Sequence, residues 1–242
     1  MLFDFTKFNL PVANAIPKVK KGLSEKNTLI IKAPTGAGKS TLLPLTLLEE
    51  GWLKGNKIIM LEPRRLAAKT VAVRMADMLG EQVGETVGYR IRFEQKISQK
   101  TRLEVVTEGI LTRLIHEDNS LEDIGLIIFD EFHERSIHAD LAMAFTKEVQ
   151  GVLREDLRIV VMSATINMPE LAQRLNAVEV ESKGRMYPVE VHYEGDSDWK
   201  ILPEMIHQTL KKAIKKQAGD VLVFLPGQGE IKKCEDVLRR SF

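Results

Sequence analysis

The sequence predicts an α/β fold built on a parallel sheet, and three observations carry that expectation. Short apolar runs at Thr28–Lys32, Lys57–Leu61, Leu103–Val106, Leu126–Phe129 and Arg158–Met162 have the length and continuous apolarity of strands buried on both faces. Between them lie stretches whose apolar residues recur at helical spacing, and that alternation implies a parallel sheet covered by helices on both sides. Finally, the polar motifs directly follow the apolar runs, and in such sheets ligands bind at the carboxyl ends of the strands.

In chain order, Leu10-Pro11-Val12 precedes a short helix expected over about 17–24. The first strand then runs into Ala33-Pro34-Thr35-Gly36-Ala37-Gly38-Lys39-Ser40-Thr41, with a helix expected from Lys39 to about Glu50. A triphosphate crowds several negative oxygens into a small volume. A turn without side chains can aim successive backbone N–H groups at them while the next helix adds its positive end. Gly36 and Gly38 supply bare backbone, Lys39 the point charge for the β- and γ-phosphates, and Ser40 a hydroxyl for Mg²⁺.

The second strand leads into Glu62-Pro63-Arg64-Arg65-Leu66-Ala67-Ala68 and a helix carrying Leu66, Val71, Met75, Met78 and Leu79, with Gly80 as its stop. The third feeds a helix from about Gly109 to Ile115, and the fourth feeds Asp130-Glu131-Phe132-His133-Glu134-Arg135. The helix after that has Ile137, Leu141, Phe145 and Val149 four apart, so one face is apolar. The fifth strand ends in Ser163-Ala164-Thr165. Asp130 ends an apolar strand, where a Mg²⁺-associated carboxylate belongs, and Glu131 beside it is placed to polarise an attacking water. Two adjacent carboxylates with separate tasks suit hydrolysis better than transfer to a bound acceptor.

The pattern breaks at 182–188, the expected linker between a first domain over 1–181 and a partial second domain over 189–242. Beyond it we expect strands at Val189–Tyr193 and within Asp220–Gly227. A helix bears the stripe Leu202, Ile206, Leu210 and Ile214, and a last amphipathic helix bears Ile231, Val237 and Leu238. Lys211, Lys212, Lys215 and Lys216 on the far side of the first of these read as a solvated face.

Bulk properties set outer limits. The chain has 242 residues, enough for one to two domains, and its 44% hydrophobic content suits a packed core. A formal charge of +1 means that nucleic-acid binding needs a local basic surface, because whole-chain attraction is absent. The single cysteine, Cys234, can make no intramolecular disulfide and reads as a packing residue of a reducing compartment. The start lacks a leader pattern, and no apolar run approaches the ~18 residues of a membrane span, so a cytoplasmic protein is expected.

Five motifs together resemble those of the DEAH-box helicases. Ala33–Ser40, Glu62–Ala68, Thr107-Glu108-Gly109, Asp130–Arg135 and Ser163-Ala164-Thr165 look like motifs I, Ia, Ib, II and III of that family, in order and at similar spacing. Phe132, where the family name has Ala, looks most like the bacterial HrpB-type branch. The resemblance implies a RecA-like first domain, the start of a second RecA-like domain, and an ATP-dependent RNA helicase using ATP or another nucleoside triphosphate with Mg²⁺. It implies that Thr35, Gly36, Ala37, Gly38, Lys39, Ser40 and Thr41 wrap the phosphates, that Ser40 and Asp130 hold Mg²⁺, and that Glu131 is the general base. By the same resemblance His133 links the nucleotide site to Ser163 and Thr165, which couple hydrolysis to domain movement, and Arg74 stacks on the base. A packed polar role for His133 and a surface salt bridge for Arg74 stay open.

Backbone contacts to a single strand, RNA ahead of DNA, would come from Arg64, Arg65 and Thr107. The segment Gly88–Glu94, including Arg90, resembles a loop that also touches the strand. Phosphate contacts position a chain without reading bases, so no sequence specificity is expected. His133 and His138 have no companions at zinc-ligand spacing, so Mg²⁺ is the only metal expected. Leu222–Gly227 resembles motif IV, whereas nothing resembles motifs V or VI, which implies the amino-terminal part of a longer helicase and weak turnover by this part alone. A nucleotide-gated nucleic-acid-binding module with little turnover is the alternative. Another kind of phosphate-loop NTPase is disfavoured by the Glu62–Arg65 and Ser163–Thr165 motifs.

Overall fold

In the computed structural model, residues 3–165, 168–184, 188–193, 195, 201–216 and 218–241 are described. The chain divides into two compact units, Met1–Met186 and Tyr187–Phe242.

The first unit holds strands β1 (Thr28–Lys32), β2 (Lys57–Leu61), β3 (Val87–Ile91), β4 (Glu94–Lys96), β5 (Leu103–Val106), β6 (Ile124–Phe129), β7 (Arg158–Ser163) and β8 (Val178–Glu181). They form one eight-stranded sheet in the order β4-β3-β5-β2-β6-β7-β1-β8. Only the β3–β4 pairing is antiparallel. Helices α1 (Ile16–Glu25), α2 (Leu42–Leu47) and α3 (Arg65–Leu79) bury Val19, Leu43 and Met75 with Ile31, Met60 and Val105 on one face. Helices α4 (Glu108–Glu117), α5 (Ile137–Val152) and α6 (Met168–Leu175) bury Leu111, Ala142 and Ala172 with Ile30, Ile59 and Ile127 on the other. Adjacent residues of one strand therefore serve opposite layers, which is why the strands read as unbroken apolar runs. The expected doubly covered parallel sheet is the fold observed.

Two local expectations change. The helix after the phosphate loop starts at Leu42 and not at Lys39, and residues 38–41 form a turn in which the Thr41 and Leu42 N–H groups both reach the Gly38 carbonyl. Pro44 has no N–H to give the Ser40 carbonyl, so the helix has no bond there to hold an earlier start. Gly88–Glu94, read as a loop, is the hairpin β3–β4 closed by Arg92 and Phe93. Gly88 permits it: a Cβ there would sit 2.5 Å from the Lys96 carbonyl oxygen. The edge strand β8 and helix α6 had no expectation attached.

The second unit contains α7 (Leu202–Lys216) and α8 (Gln228–Leu238), as the apolar stripes indicated, with Cys234 buried. Val189–Tyr193 and Val221–Leu225 are not strands. A strand is defined by a partner for its N–H and C=O groups, and neither segment pairs with a sheet among the described residues. Their apolar side chains stay exposed, Phe224 among them. Of the expected linker, 185–187 lie outside the described residues, while Ser182 is buried against the first unit.

Two glycines test this packing from opposite sides. Gly88→Ala forces a Cβ against backbone and against Ile97 Cγ2 at 2.8 Å, and it should cost about 1–3 kcal/mol in urea denaturation. Gly151, late in α5, has nothing within 4 Å of an added Cβ, so Gly151→Ala should stabilise by roughly 0.5–1 kcal/mol.

Candidate functional site

The strand order brings the carboxyl ends of β3, β5, β2, β6, β7 and β1 to one edge of the sheet, in that sequence. Each carries its motif there. At the β1 end, Ala33 N–H donates to the Ser163 carbonyl at 3.0 Å, so the phosphate loop is anchored on the last residue of β7. Gly36 and Gly38 take φ of 75° and 88°, the left-handed region that a loop of inward-aimed N–H groups requires.

At the β6 end, Asp130 N–H continues the ladder to the Leu61 carbonyl at 2.9 Å. The chain then turns through Glu131 in a left-handed conformation, φ 46° and ψ 37°, which is unfavourable for a residue with a Cβ. That turn lets the Glu131 N–H donate to Asp130 Oδ1 at 2.8 Å and brings the Glu131 carboxylate to Lys39 Nζ, 2.5 Å from Oε1. Residues from two loops, far apart in sequence, thus meet in one ion pair with Lys39 buried.

Asp130 is 1% exposed, and its Oδ2 makes no hydrogen bond. Burial raises its pKa to about 6, against the opposing pull of the nearby Ser40 hydroxyl and of the Lys39 charge. A buried carboxylate oxygen without a partner, beside a serine hydroxyl, is a donor set that fits a hard divalent cation such as Mg²⁺.

His133 lies on a 3₁₀ turn, Phe132–Glu134, that packs against β7. Its imidazole faces Glu131, with Nδ1 3.3 Å from Oε2, and forms no hydrogen bond through that atom. Ser163 is fully buried at the end of β7, and its Oγ accepts from Thr165 N–H at 3.4 Å. Thr35, Ala37 and Thr41 lie in the loop with the glycines, and Arg74 is exposed in the third turn of α3.

Along the other half of the edge, Arg64 caps the start of α3 and is held by Glu134, with Nη2 2.8 Å and Nε 3.3 Å from its two carboxylate oxygens. Arg65 and Leu66 are exposed beside it, and Thr107 is the N-cap of α4. Arg90 is only partly presented to solvent. Its guanidinium is bound by Glu104, 2.7 Å from Nε, and Glu104 is fully buried and takes Lys57 Nζ as well, at 3.1 Å. A buried carboxylate needs such compensation, and it captures the nearest cations. Exposed residues at that corner include Arg92 and Phe93 at the hairpin turn, with the guanidinium 4.8 Å from the ring centroid. Arg92–Phe93 was quoted within the sequence motif but given no role of its own, because a turn residue cannot be told from a strand residue there without the pairing.

The sequence reading also left Glu62 without a role. It is 4% exposed, and burial, reinforced by the charges of Asp130 and Glu131, lifts its pKa to about 8. Its signal was available: like Asp130, it is an acid directly following a buried apolar strand.

The chain matches the DEAD/DEAH box helicase family over residues 12–173. It is 47% identical over 239 residues to the ATP-dependent RNA helicase HrpB of Escherichia coli, covering 95% of this chain and 28% of that protein. It is 38% identical over 233 residues to the ATP-dependent RNA helicase HrpA of Borreliella burgdorferi, covering 93% of this chain and again 28% of the relative. A crystal structure of the Escherichia coli DEAH/RHA helicase HrpB superposes with a TM-score of 0.90 at 45% identity, covering 97% of this chain and 30% of that one. The chain therefore spans under a third of the length of these proteins.

The Glu62 environment predicts a pH effect on stability. A carboxyl whose folded pKa, about 8, lies above its ordinary value of 4.5 holds its proton in the folded state while the unfolded chain releases it. Stability then falls as pH rises between those two values. Glu62→Gln should raise the thermal midpoint at pH 9 in a metal-free buffer and leave it nearly unchanged at pH 5. An equal shift at both pH values would show that Glu62 is ionised in the folded protein.

Proposed function

The chain belongs to the DEAD/DEAH box helicase family, and from that premise we propose that it is the ATP-hydrolysing part of an RNA helicase. The observation that carries the proposal is the convergence of Lys39, Ser40, Asp130 and Glu131 at the ends of β1 and β6, with a buried Asp130 oxygen left unbonded. The loop from Thr35 through Thr41 wraps the phosphates and presents backbone N–H groups to them. Ser40 and Asp130 would hold Mg²⁺, which would supply positive charge against the phosphate oxygens.

Lys39 has two acceptors in this scheme. Without nucleotide it satisfies Glu131, and with nucleotide its ammonium turns to the phosphates, which releases the Glu131 carboxylate to accept a proton from the attacking water. His133 stays against Glu131 and orients it, on a turn that rests on β7 and so joins the base to Ser163 and Thr165. We assign Arg74 to the nucleotide base by family resemblance.

For RNA we assign Arg64, Arg65, Thr107 and, in place of Arg90, the Arg92–Phe93 turn. They follow β2, β5 and β3, on the same sheet edge as the catalytic groups. With strands about 4.8 Å apart, this half of the edge starts one strand from Asp130 and extends roughly 15 Å from it. Cations contact backbone phosphates, and an exposed aromatic ring offers a stacking surface to any base, so binding should be indifferent to sequence. Both the RNA preference and a cytoplasmic location are part of this proposal.

Two substitutions test the division of roles. Lys39→Ala should abolish Mg-ATP binding, because the phosphates lose their buried cation. Glu131→Gln should keep binding and lose hydrolysis by roughly 10²-fold or more, as expected for removal of a general base. Calorimetric binding and phosphate release measure the two separately, and equal loss of binding in both variants would refute the assignment. Binding without turnover in the unaltered protein would favour a nucleotide-gated binder. On the nucleic-acid side, Arg92→Ala should lower the slope of log affinity for single-stranded RNA against log salt by about 0.7. Arg90→Ala should instead lower stability, because it strips a partner from buried Glu104. An unchanged slope in the Arg92 variant would remove the hairpin turn from the interface.

A further inference from the structure

The phosphate loop is bare where it must bind, and its conformation is fixed from outside by the segment that precedes α1. A Cβ built on Gly38 would lie 2.8 Å from Leu10 Cδ1, 3.1 Å from Leu10 Cβ and 3.3 Å from Val12 Cγ1. Those side chains therefore rest directly on the bare face of Gly38. Val12 N–H donates to the Ala37 carbonyl at 3.0 Å, a second grip on the neighbouring residue. Gly36, by contrast, has nothing within 4 Å of its would-be Cβ.

The segment is itself held. Leu10 N–H donates to the Phe8 carbonyl at 2.8 Å and the Leu10 carbonyl accepts from Ala13 N–H at 3.0 Å. Phe3 and Phe8 stack with centroids 5.8 Å apart, and both pack with Leu10 on the core of the α1–α3 layer. On its far side the Pro11 carbonyl accepts from Ser182 Oγ at 3.3 Å, and Ser182 N–H extends β8 by donating to the Lys32 carbonyl at 2.8 Å. Gly184 then lies against Pro34, so closely that a Cβ there would fall on the proline ring. The loop is gripped at Pro34 by one strand of chain and at Ala37–Gly38 by another, and the two are tied to each other.

Glycines have no side chains with which to resist motion, and a loop that wanders spends its binding free energy on being ordered. We propose that Leu10 and Val12 are positioning residues of the nucleotide site, which hold Ala37 and Gly38 so that the loop N–H groups and Lys39 are set for phosphate before it arrives. This inference rests on the nucleotide-binding reading above. It divides the loop into a fixed half at Gly38 and an adaptable half at Gly36.

Leu10 is the residue to change, since it is partly exposed while Val12 is fully buried. In the 242-residue chain, Leu10→Ala should weaken Mg-ATP binding roughly tenfold, equivalent to ~1.4 kcal/mol, and Leu10→Met should restore it. Hydrogen exchange without nucleotide should quicken at the amides of Gly36 to Ser40 and stay slow at Leu29 to Ile31 of β1. Unchanged affinity in Leu10→Ala, or exchange that quickens equally in the loop and in β1, would overturn the proposal, the second by making Leu10 a general stability residue. If the unaltered chain bound no Mg-ATP, the nucleotide reading would fail instead, and exchange in the nucleotide-free loop would still decide the role of Leu10.

Discussion

Carboxyl groups are concentrated at the ends of two neighbouring strands, and much of the site is arranged to accommodate them. Glu62 ends β2 and Asp130 ends β6, with Glu131 and Glu134 just beyond. Two of the four are almost wholly buried. Burial raises the pKa of both Glu62 and Asp130, and the charge of Glu131 adds to the shift in each. Relief comes from outside the cluster: Lys39 crosses from the β1 loop to Glu131, and Arg64 closes over Glu134. None of these cations reaches Asp130 Oδ2, the oxygen proposed to hold Mg²⁺.

The left-handed backbone at Glu131 belongs to the same arrangement. An extended residue there would carry the carboxylate onward along the strand direction and away from the phosphate loop. The reversal returns it to Lys39 and brings its N–H onto Asp130 Oδ1. Strain of this kind persists where surrounding contacts over-determine it, and here the ion pair and the packing of Phe132 against Phe129 supply those contacts.

The parallel sheet turns a linear list of motifs into a spatial division of labour. β6, β7 and β1 carry the groups assigned to the phosphates, the metal, the attacking water and their coupling, and β3, β5 and β2 carry those assigned to the nucleic acid, along one continuous edge. β2 and β6 are neighbours, so Arg64 and Glu134, one from each half, form the ion pair at the junction.

Much of this was legible in the sequence. Buried parallel strands need apolar residues on both faces, so the runs at Ile58–Leu61 or Leu126–Phe129 could not be mistaken for amphipathic ones, and the phosphate loop and the Asp130–Glu131 pair are chemical patterns that local spacing preserves. What the sequence could not hold was the strand order, which depends on packing between distant segments. Only that order puts β7 beside β1, sets Lys39 against Glu131, and buries Glu104 where it binds Arg90. The grip of Leu10 on Gly38 was hidden for the same reason: an apolar residue ahead of a helix looks alike whether it faces solvent or a loop 28 positions away, and tertiary packing alone decides which.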